Sequence, residues 1–334
     1  MNILVLAPNW LGDAAMATPA MRVLKQHYPD SCLTVAGPAG VCALLEDAPW
    51  IDALHPIPAK AGFSALRREA SLLKDAGGDL VVVLPHSFRA ALFARLIGGK
   101  ERLGYKRNGR SFLLTRAVEP YRENGHITPV YMSREYLDLV AQTGAVDDRK
   151  GLELGVPVEL LEKVRVELQG EGPLIALAPG AAFGPSKQWM PRAFAETADL
   201  LAEAKGARCL LITGPGEEAL DKEIRELART PLLPIPCKEA GLASLKAVIA
   251  SLDLLICNDS GPRHMAVAFQ TPVLCIMGST SPRYTDSPYE KGLVIREPLP
   301  CSPCQKPVCP LGHHLCMRLI TPARVSRAAE ELLA

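Results

Sequence analysis

The sequence predicts an α/β protein of two Rossmann-like domains, and three observations predict it. At 334 residues the chain exceeds the usual size of one domain. Short apolar runs that end in small or polar residues alternate with helical patterns, which is the βαβ rhythm of parallel sheets. The two halves also begin alike: ILVLAP at 3–8 and LIALAP at 174–179 each lead into a turn and then a helix. Residues 1–160 and 161–334 are the expected domains, joined within the polar stretch 145–172.

The expected strands are Ile3–Ala7, Leu33–Ala36, Leu80–Leu84, Leu174–Ala178, Cys209–Thr213, Leu254–Cys257 and Val273–Met277. Helices are expected from about Ala14 to Tyr28 and from about Arg192, and Thr321-Pro322 opens a final helix over 322–333. In open α/β sheets ligands bind beyond the carboxyl ends of the strands, so the loops after these runs are where chemistry belongs.

The apolar share of 48% and charged share of 22% are ordinary for a globular chain, and a net charge of +1 excludes a generalised attraction to nucleic acid. No run of 18 apolar residues occurs, and Ile3–Ala7 is broken by Pro8, Asn9 and Asp13 with no basic leader, so neither export nor a membrane span is expected. Cys32, Cys42, Cys209, Cys237, Cys257 and Cys275 are scattered, several of them in apolar strands, as small core residues of a reduced cytoplasmic protein would be.

The loop after the first strand, Pro8 to Asp13, places one carboxylate at the mouth of a helix. Asp13 reads equally as a helix cap or as a general base facing a cleft. There is no GxGxxG, so a dinucleotide site is unsupported. In the second half, Pro179 to Trp189 exposes backbone amides through Gly180 and Gly184 and adds the mobile cation Lys187. Alone it is a connecting loop. It converges, however, with Asn258-Asp259-Ser260-Gly261, a polar turn that opens a helix with Arg263 and His264 in its first turn, where free N–H groups and the helix dipole favour an anion. Two phosphate-friendly loops on one sheet edge point to a nucleotide. Glu217 and Glu218 follow the strand Cys209–Thr213, where an acidic residue either accepts from ribose hydroxyls or complements a helix dipole.

Four separated segments then resemble one family: ILVLAPNWLGDAAMATPAMRVLK at 3–25, LPHSFRAAL at 84–92, PGAAFGPSKQWMP at 179–191 and NDSGPRHMAVAFQTPVLCIMGSTSP at 258–282. The chain resembles the ADP-heptose:lipopolysaccharide heptosyltransferases, glycosyltransferase family 9, and among them the heptosyltransferase II branch. The resemblance implies a GT-B fold, two Rossmann-like domains facing across a cleft, with the acceptor on the first and ADP-heptose on the second. It implies an inverting transfer of heptose to the heptosylated inner core of lipopolysaccharide, with no cofactor required. Asp13 would be the base and Lys187 would stabilise the departing diphosphate. The donor would be held by Ser186, by the amides at Ser260 and Gly261 and by His264, with Asp259 and Glu217 or Glu218 orienting sugar and ribose hydroxyls. Where some relatives carry threonines this chain has Ala182 and Phe183, which puts hydroxyl contacts there in doubt. Heptosyltransferase I, a later-acting member with another acceptor, and a non-catalytic nucleotide-sugar-binding module are the alternatives.

Charge distribution bears on the acceptor independently. From Lys60 to Arg116 there are twelve Lys or Arg against four Asp or Glu. Such a run is usually a solvated face, yet an anionic lipopolysaccharide core would need a basic surface on the acceptor domain, with Arg67, Arg68 and Arg89 as first candidates. Peripheral attachment to the inner face of the inner membrane is left open.

Residues 301–316 hold Cys301, Cys304, Cys309 and Cys316 together with His313 and His314. The C-x2-C start and further soft ligands suit a structural zinc, against which stand reduced thiols, a disulfide or an iron–sulfur cluster.

Overall fold

The computed structural model describes residues 1–58 and 62–334; Lys60, where the basic run begins, lies outside them. The chain divides into two units, Met1–Gly155 and Val156–Ala334.

The first unit runs β1 Asn2–Leu6, α1 Leu11–His27, β2 Cys32–Gly37, α2 Ala39–Leu45, β3 Ala53–Pro56, α3 Phe63–Leu72, β4 Leu80–Val83, α4 Phe88–Ile97, β5 Glu101–Tyr105, β6 Arg116–Val118, the short pair β7 Arg122–Glu123 and β8 His126–Ile127, and α5 Met132–Val140. Six strands form a parallel sheet in the order β3-β2-β1-β4-β5-β6, the order of doubly wound nucleotide-binding folds. Leu4 pairs with both Thr34 and Val81, which makes β1 central, and Ile3 to Leu6 are buried because helices cover both faces. The chain reverses its winding between β1 and β4, so the loops after those two strands open the crevice. Leu4, Leu6, Val81 and Val83 form a core with Leu66, Phe93, Ala94 and Ile97 from α3 and α4.

The unit is closed by the buried Arg22 of α1. Its guanidinium grips Asp148 through Nε at 2.8 Å and Nη2 at 2.7 Å, and Glu153 at 3.0 Å, fastening segment 148–153 to the helix. The Arg22 hydrogen bond holds the Asp148 carboxyl down, from an ordinary 3.8 to about 2, against the opposing effect of burial. A carboxylate depressed in the folded state stabilises fully above its unfolded pKa and loses that contribution as pH falls through the folded one. Acid unfolding followed by circular dichroism is therefore expected to show a loss of roughly 2 kcal/mol between about pH 4 and pH 2 that is absent in Asp148→Asn.

The second unit runs α6 Val158–Glu167, β9 Leu174–Ala178, α7 Pro191–Lys205, β10 Arg208–Leu211, α8 Glu218–Leu227, α9 Leu242–Ile249, β11 Leu254–Asn258, α10 Gly261–Ala268, β12 Val273–Ile276, β13 Gly292–Ile295, α11 Leu315–Arg318 and α12 Pro322–Leu332. Its parallel sheet has the order β10-β9-β11-β12-β13, which reverses between β9 and β11. The loops after β9 and β11 are those singled out above. Thr321 Oγ1 accepts from the Arg324 amide and caps α12, which packs on α7 and on β11, β12 and β13.

All seven expected strands are present within two residues. The sequence reading missed β3, β5, β6 and β13, and also the two-residue pair β7 and β8. β3 and β6 are edge strands with half-exposed residues, β13 is an edge strand opening on exposed Gly292 and Leu293, and β5 opens on Glu101 and Arg102. None presents the continuous apolar run that marks a central parallel strand.

Candidate active site

In the second unit the crevice is built around Asn258, which ends β11 and is fully buried. Its side chain accepts from the Trp189 amide at 3.1 Å and donates to the Pro179 carbonyl, stapling both ends of the loop after β9 to β11. Trp189 is anchored in turn, its indole N–H donating to the Ile320 carbonyl at 3.0 Å and its ring meeting Phe194 edge-on. A loop of glycines and small residues is thereby held in one shape.

That loop delivers Lys187. Its ammonium lies 2.7 Å from Asp259 Oδ2 and 3.0 Å from the Asp259 carbonyl, at the entrance to α10. Asp259 is buried, and Thr280 Oγ1 donates to it at 2.8 Å while Arg263 reaches its other oxygen at 3.2 Å. Burial alone would raise the Asp259 carboxyl, but the Lys187 and Arg263 charges overcome it and hold the group ionised, below the ordinary carboxylate range. Arg263, with no exposed side chain, is also bound by Glu290 at 2.9 and 3.1 Å and by Thr285 at 3.1 Å. Both Asp259 oxygens, expected to orient sugar hydroxyls, are engaged by side chains of the protein, and Oδ2 holds the Lys187 ammonium.

Ser260 occupies the cap position of α10 with no capping bond from its side chain, and Ser260 and Gly261 are half-exposed at the crevice. His264 is buried one turn in, with Nδ1 lacking a partner. Burial, reinforced by the Arg263 charge, lowers its pKa from 6.5 to about 3, so the ring is neutral near pH 7. The ring therefore brings no charge to the first turn of α10 near pH 7.

The two glutamates separate. Glu217 accepts from the Gly214 amide at 2.7 Å, and a Cβ placed on Gly180 would fall 2.3 Å from its Oε1, so its carboxylate lies against the loop after β9. Glu218 bonds the Gly216 amide in the first turn of α8, where backbone N–H groups lower its pKa. Glu217 belongs to the crevice, and Glu218 is occupied with its own helix.

Ser186 also departs from expectation. It is buried, its hydroxyl bonds the Lys306 carbonyl and Ser279 Oγ, its amide donates to the Pro307 carbonyl at 3.0 Å, and its carbonyl lies 3.0 Å from His314 Nε2. It is a knot between the Lys187 loop and the cysteine-rich segment. Gly184 sits at φ 147°, and a Cβ there would lie 2.4 Å from the Pro307 carbonyl, so only glycine lets the two segments approach.

Cys301, Cys304, Cys309 and Cys316 line one cavity with Ser186 and His314. All ten cysteines of the chain are free thiols. Amides of Leu311 to His314 hydrogen-bond to Cys309 and lower its pKa, that of His314 most. Among the described residues, no three or more of His, Cys, Asp and Glu are grouped as they would be around an ion.

In the first unit the α1 cap position is Trp10, and Asp13 stands in the first turn, half-exposed. Asp13 is thus not the capping residue, though a carboxylate there still complements the helix dipole. Arg67 and Arg68 are exposed midway along α3, and Arg89 is exposed in the first turn of α4, so of the three only Arg89 stands at the crevice edge of the sheet. Sequence reasoning missed His86, Arg107, Arg110 and Glu135, which meet at that edge. Their signal was the run YKRNGR ending β5 together with PHS after β4.

The profile of glycosyltransferase family 9 (heptosyltransferase) matches residues 66–315, well over half of the chain. The chain belongs to this family. It is similar to lipooligosaccharide heptosyltransferase 2 of Haemophilus influenzae, with 30% identity over 89% of this chain and 88% of the relative. Lipopolysaccharide heptosyltransferase 2 of Escherichia coli K12 is 29% identical over 100% of this chain and 99% of the relative. Among solved structures, that of E. coli ADP-heptose lps heptosyltransferase II superposes with a TM-score of 0.82 at 27% identity, over 100% of this chain and 98% of that one. The chain is thus a glycosyltransferase of GT-B type. No helix among its described residues is long and apolar enough to cross a membrane.

Proposed function

We propose that this glycosyltransferase moves heptose from ADP-heptose to a heptose already on the lipopolysaccharide inner core, the heptosyltransferase II reaction. The observation that carries the reading is Lys187, held by Asp259 beside the first turn of α10, in a chain of family 9. Unit 2 takes the donor: Lys187 and the N–H groups at Ser260 and Gly261 meet the diphosphate, neutral His264 donates beside them, and Glu217 accepts from ribose hydroxyls. Unit 1 takes the acceptor. Asp13 removes the proton of the acceptor hydroxyl as its oxygen attacks the anomeric carbon, and the bond to the diphosphate breaks with its electron pair leaving on ADP. One displacement from the face opposite ADP inverts the centre. Asp259 keeps Lys187 charged and aimed while negative charge grows on the leaving group. The acceptor is lipid-anchored, so the enzyme works at the inner membrane surface, a reading supported by the basic excess of the stretch from Lys60 to Arg116.

ADP release from ADP-heptose, compared between heptosylated and heptose-free core acceptors, tests the assignment. Release stimulated by the heptosylated core is expected; stimulation by the heptose-free core alone would make this the first heptosyltransferase.

For the cysteine-rich segment we propose a structural zinc on Cys301, Cys304, Cys309 and Cys316. Four soft donors around one cavity support it, as do the amides that stabilise a Cys309 thiolate, although the sulfurs must close in to ligate an ion. No step of the transfer passes through it. Its effect would reach Lys187 through Ser186 and His314. Elemental analysis is expected to find about one zinc per chain, and chelation to lower both Tm and donor affinity. Zinc-free protein with unchanged melting would refute the site.

A further inference from the structure

At the crevice edge of unit 1 the loops after β4 and β5 are tied into one platform. Arg110, without exposed surface, donates to the carbonyls of Tyr105 at 3.1 Å, Ser87 at 3.2 Å and Pro85. Asn108 Nδ2 donates to the His86 carbonyl at 2.9 Å. On this platform Arg107 Nη2 lies 2.8 Å from Glu135 Oε1, and His86 Nε2 lies 3.0 Å from the same oxygen, near enough for an ion pair but off the line of a hydrogen bond. Glu135 is itself fixed, since Tyr105 OH donates to its backbone carbonyl at 2.8 Å and its side chain is only 4% exposed.

The local count of donors and acceptors does not balance. The Glu135 carboxylate faces the Arg107 guanidinium and the His86 imidazole, the second guanidinium of the platform, Arg110, meets only backbone carbonyls, and both Arg107 Nε and Arg110 Nη2 are buried without a partner. Unsatisfied buried donors are costly, and a cluster carrying them beside surplus positive charge has the character of an anion site. Arg107 and His86 keep 18% and 23% of their side chains exposed, which lets an anion reach them from the crevice. The place is specific too. β1, β4 and β5 are consecutive in the sheet, so this platform is next to the Asp13 loop, and the Tyr136 hydroxyl lies within the fields of Asp13, Glu135 and Arg107 together.

We infer that Arg107 and His86, oriented by Glu135 and Arg110, bind an oxyanion of the acceptor saccharide, a phosphate ester or a sugar carboxylate, and thereby seat its hydroxyl at Asp13. This rests on the function proposed above and names the groups that select the acceptor. Arg67 and Arg68 lie midway along α3, outside the loops that form this platform.

The test is the kinetics of Arg107→Gln and Arg107→Lys on phosphorylated and phosphatase-treated acceptor. Arg107→Gln is expected to raise acceptor KM at least about tenfold, leave donor KM within about twofold and flatten the salt dependence of acceptor KM. Arg107→Lys, which keeps the charge but not the fork, is expected to fall between. If the effect vanishes on treated acceptor the oxyanion is a phosphate; if it persists, it is a carboxylate. Unchanged acceptor KM in a variant that melts like the wild type, or equal rises in donor and acceptor KM, would overturn the inference. Calorimetric binding of acceptor alone, without donor, reads the site even should the wild type transfer no heptose, which separates failure of this inference from failure of the functional reading.

Discussion

Asp13→Asn is expected to lower heptose transfer by about 10²–10⁴-fold, the usual contribution of a positioned base. Donor affinity should stay as it is, because the donor groups all lie in the other unit. The substitution keeps size and removes charge, so it separates the two roles that a carboxylate in the first turn of α1 can have. Complementing the helix dipole is worth only about 0.3–1 kcal/mol at such a position. Were that its whole role, Tm would drop slightly and transfer would continue. Quenched-flow rates and thermal melts on the same preparation decide between them. A transfer rate within a few-fold of wild type would remove Asp13 from the chemistry.

Asp259→Ala is expected to be as severe, but in stability first. The substitution strips a buried carboxylate from between Lys187 and Arg263, and breaking a buried ion pair from one side costs about 3–5 kcal/mol because the remaining charge is uncompensated. Donor KM should rise with it, since Lys187 loses the group that aims it. Lys187→Ala should behave differently: Lys187 is 15% exposed and Asp259 keeps Arg263, so melting should shift less while kcat falls with the lost leaving-group charge. The double variant should cost less than the sum of the two, as expected for partners in direct contact. Had Asp259 been a sugar-hydroxyl ligand, Asp259→Ala would raise donor KM and leave unfolding by denaturant almost unchanged. That result would contradict the arrangement described here.

What the sequence conveyed was whatever is local. Central strands such as Leu174–Ala178 are continuous apolar runs because both faces are covered, and the loops that follow them carry their chemistry within a few residues. Lys187, the Ser260-Gly261 turn and the candidate base Asp13 were legible for that reason. Burial and partnership were not. Asp259 and Ser186 read as ligands because they sit in the right loops, yet Asp259 is turned inward by Lys187, Arg263 and Thr280, and Ser186 by Lys306 and Ser279. His264 was legible as a residue of the anion-favouring turn, but its neutrality was not, an effect of desolvation that no motif carries. The platform of His86, Arg107, Arg110 and Glu135 was hidden for a different reason. Its members come from three segments separated by helices and strands, and only the adjacency of β4 and β5 brings two of those segments together.

The most direct test of the account is the product itself. Wild-type protein, ADP-heptose and heptosylated core acceptor are incubated, and the acceptor is examined by mass spectrometry and by NMR of the new anomeric centre. A single base on the acceptor side and a cation on the leaving group predict a gain of one heptose, one ADP released per transfer, and an anomeric configuration opposite to that of the donor. Retention of configuration, or ADP-heptose that binds while the acceptor mass never changes, would contradict it.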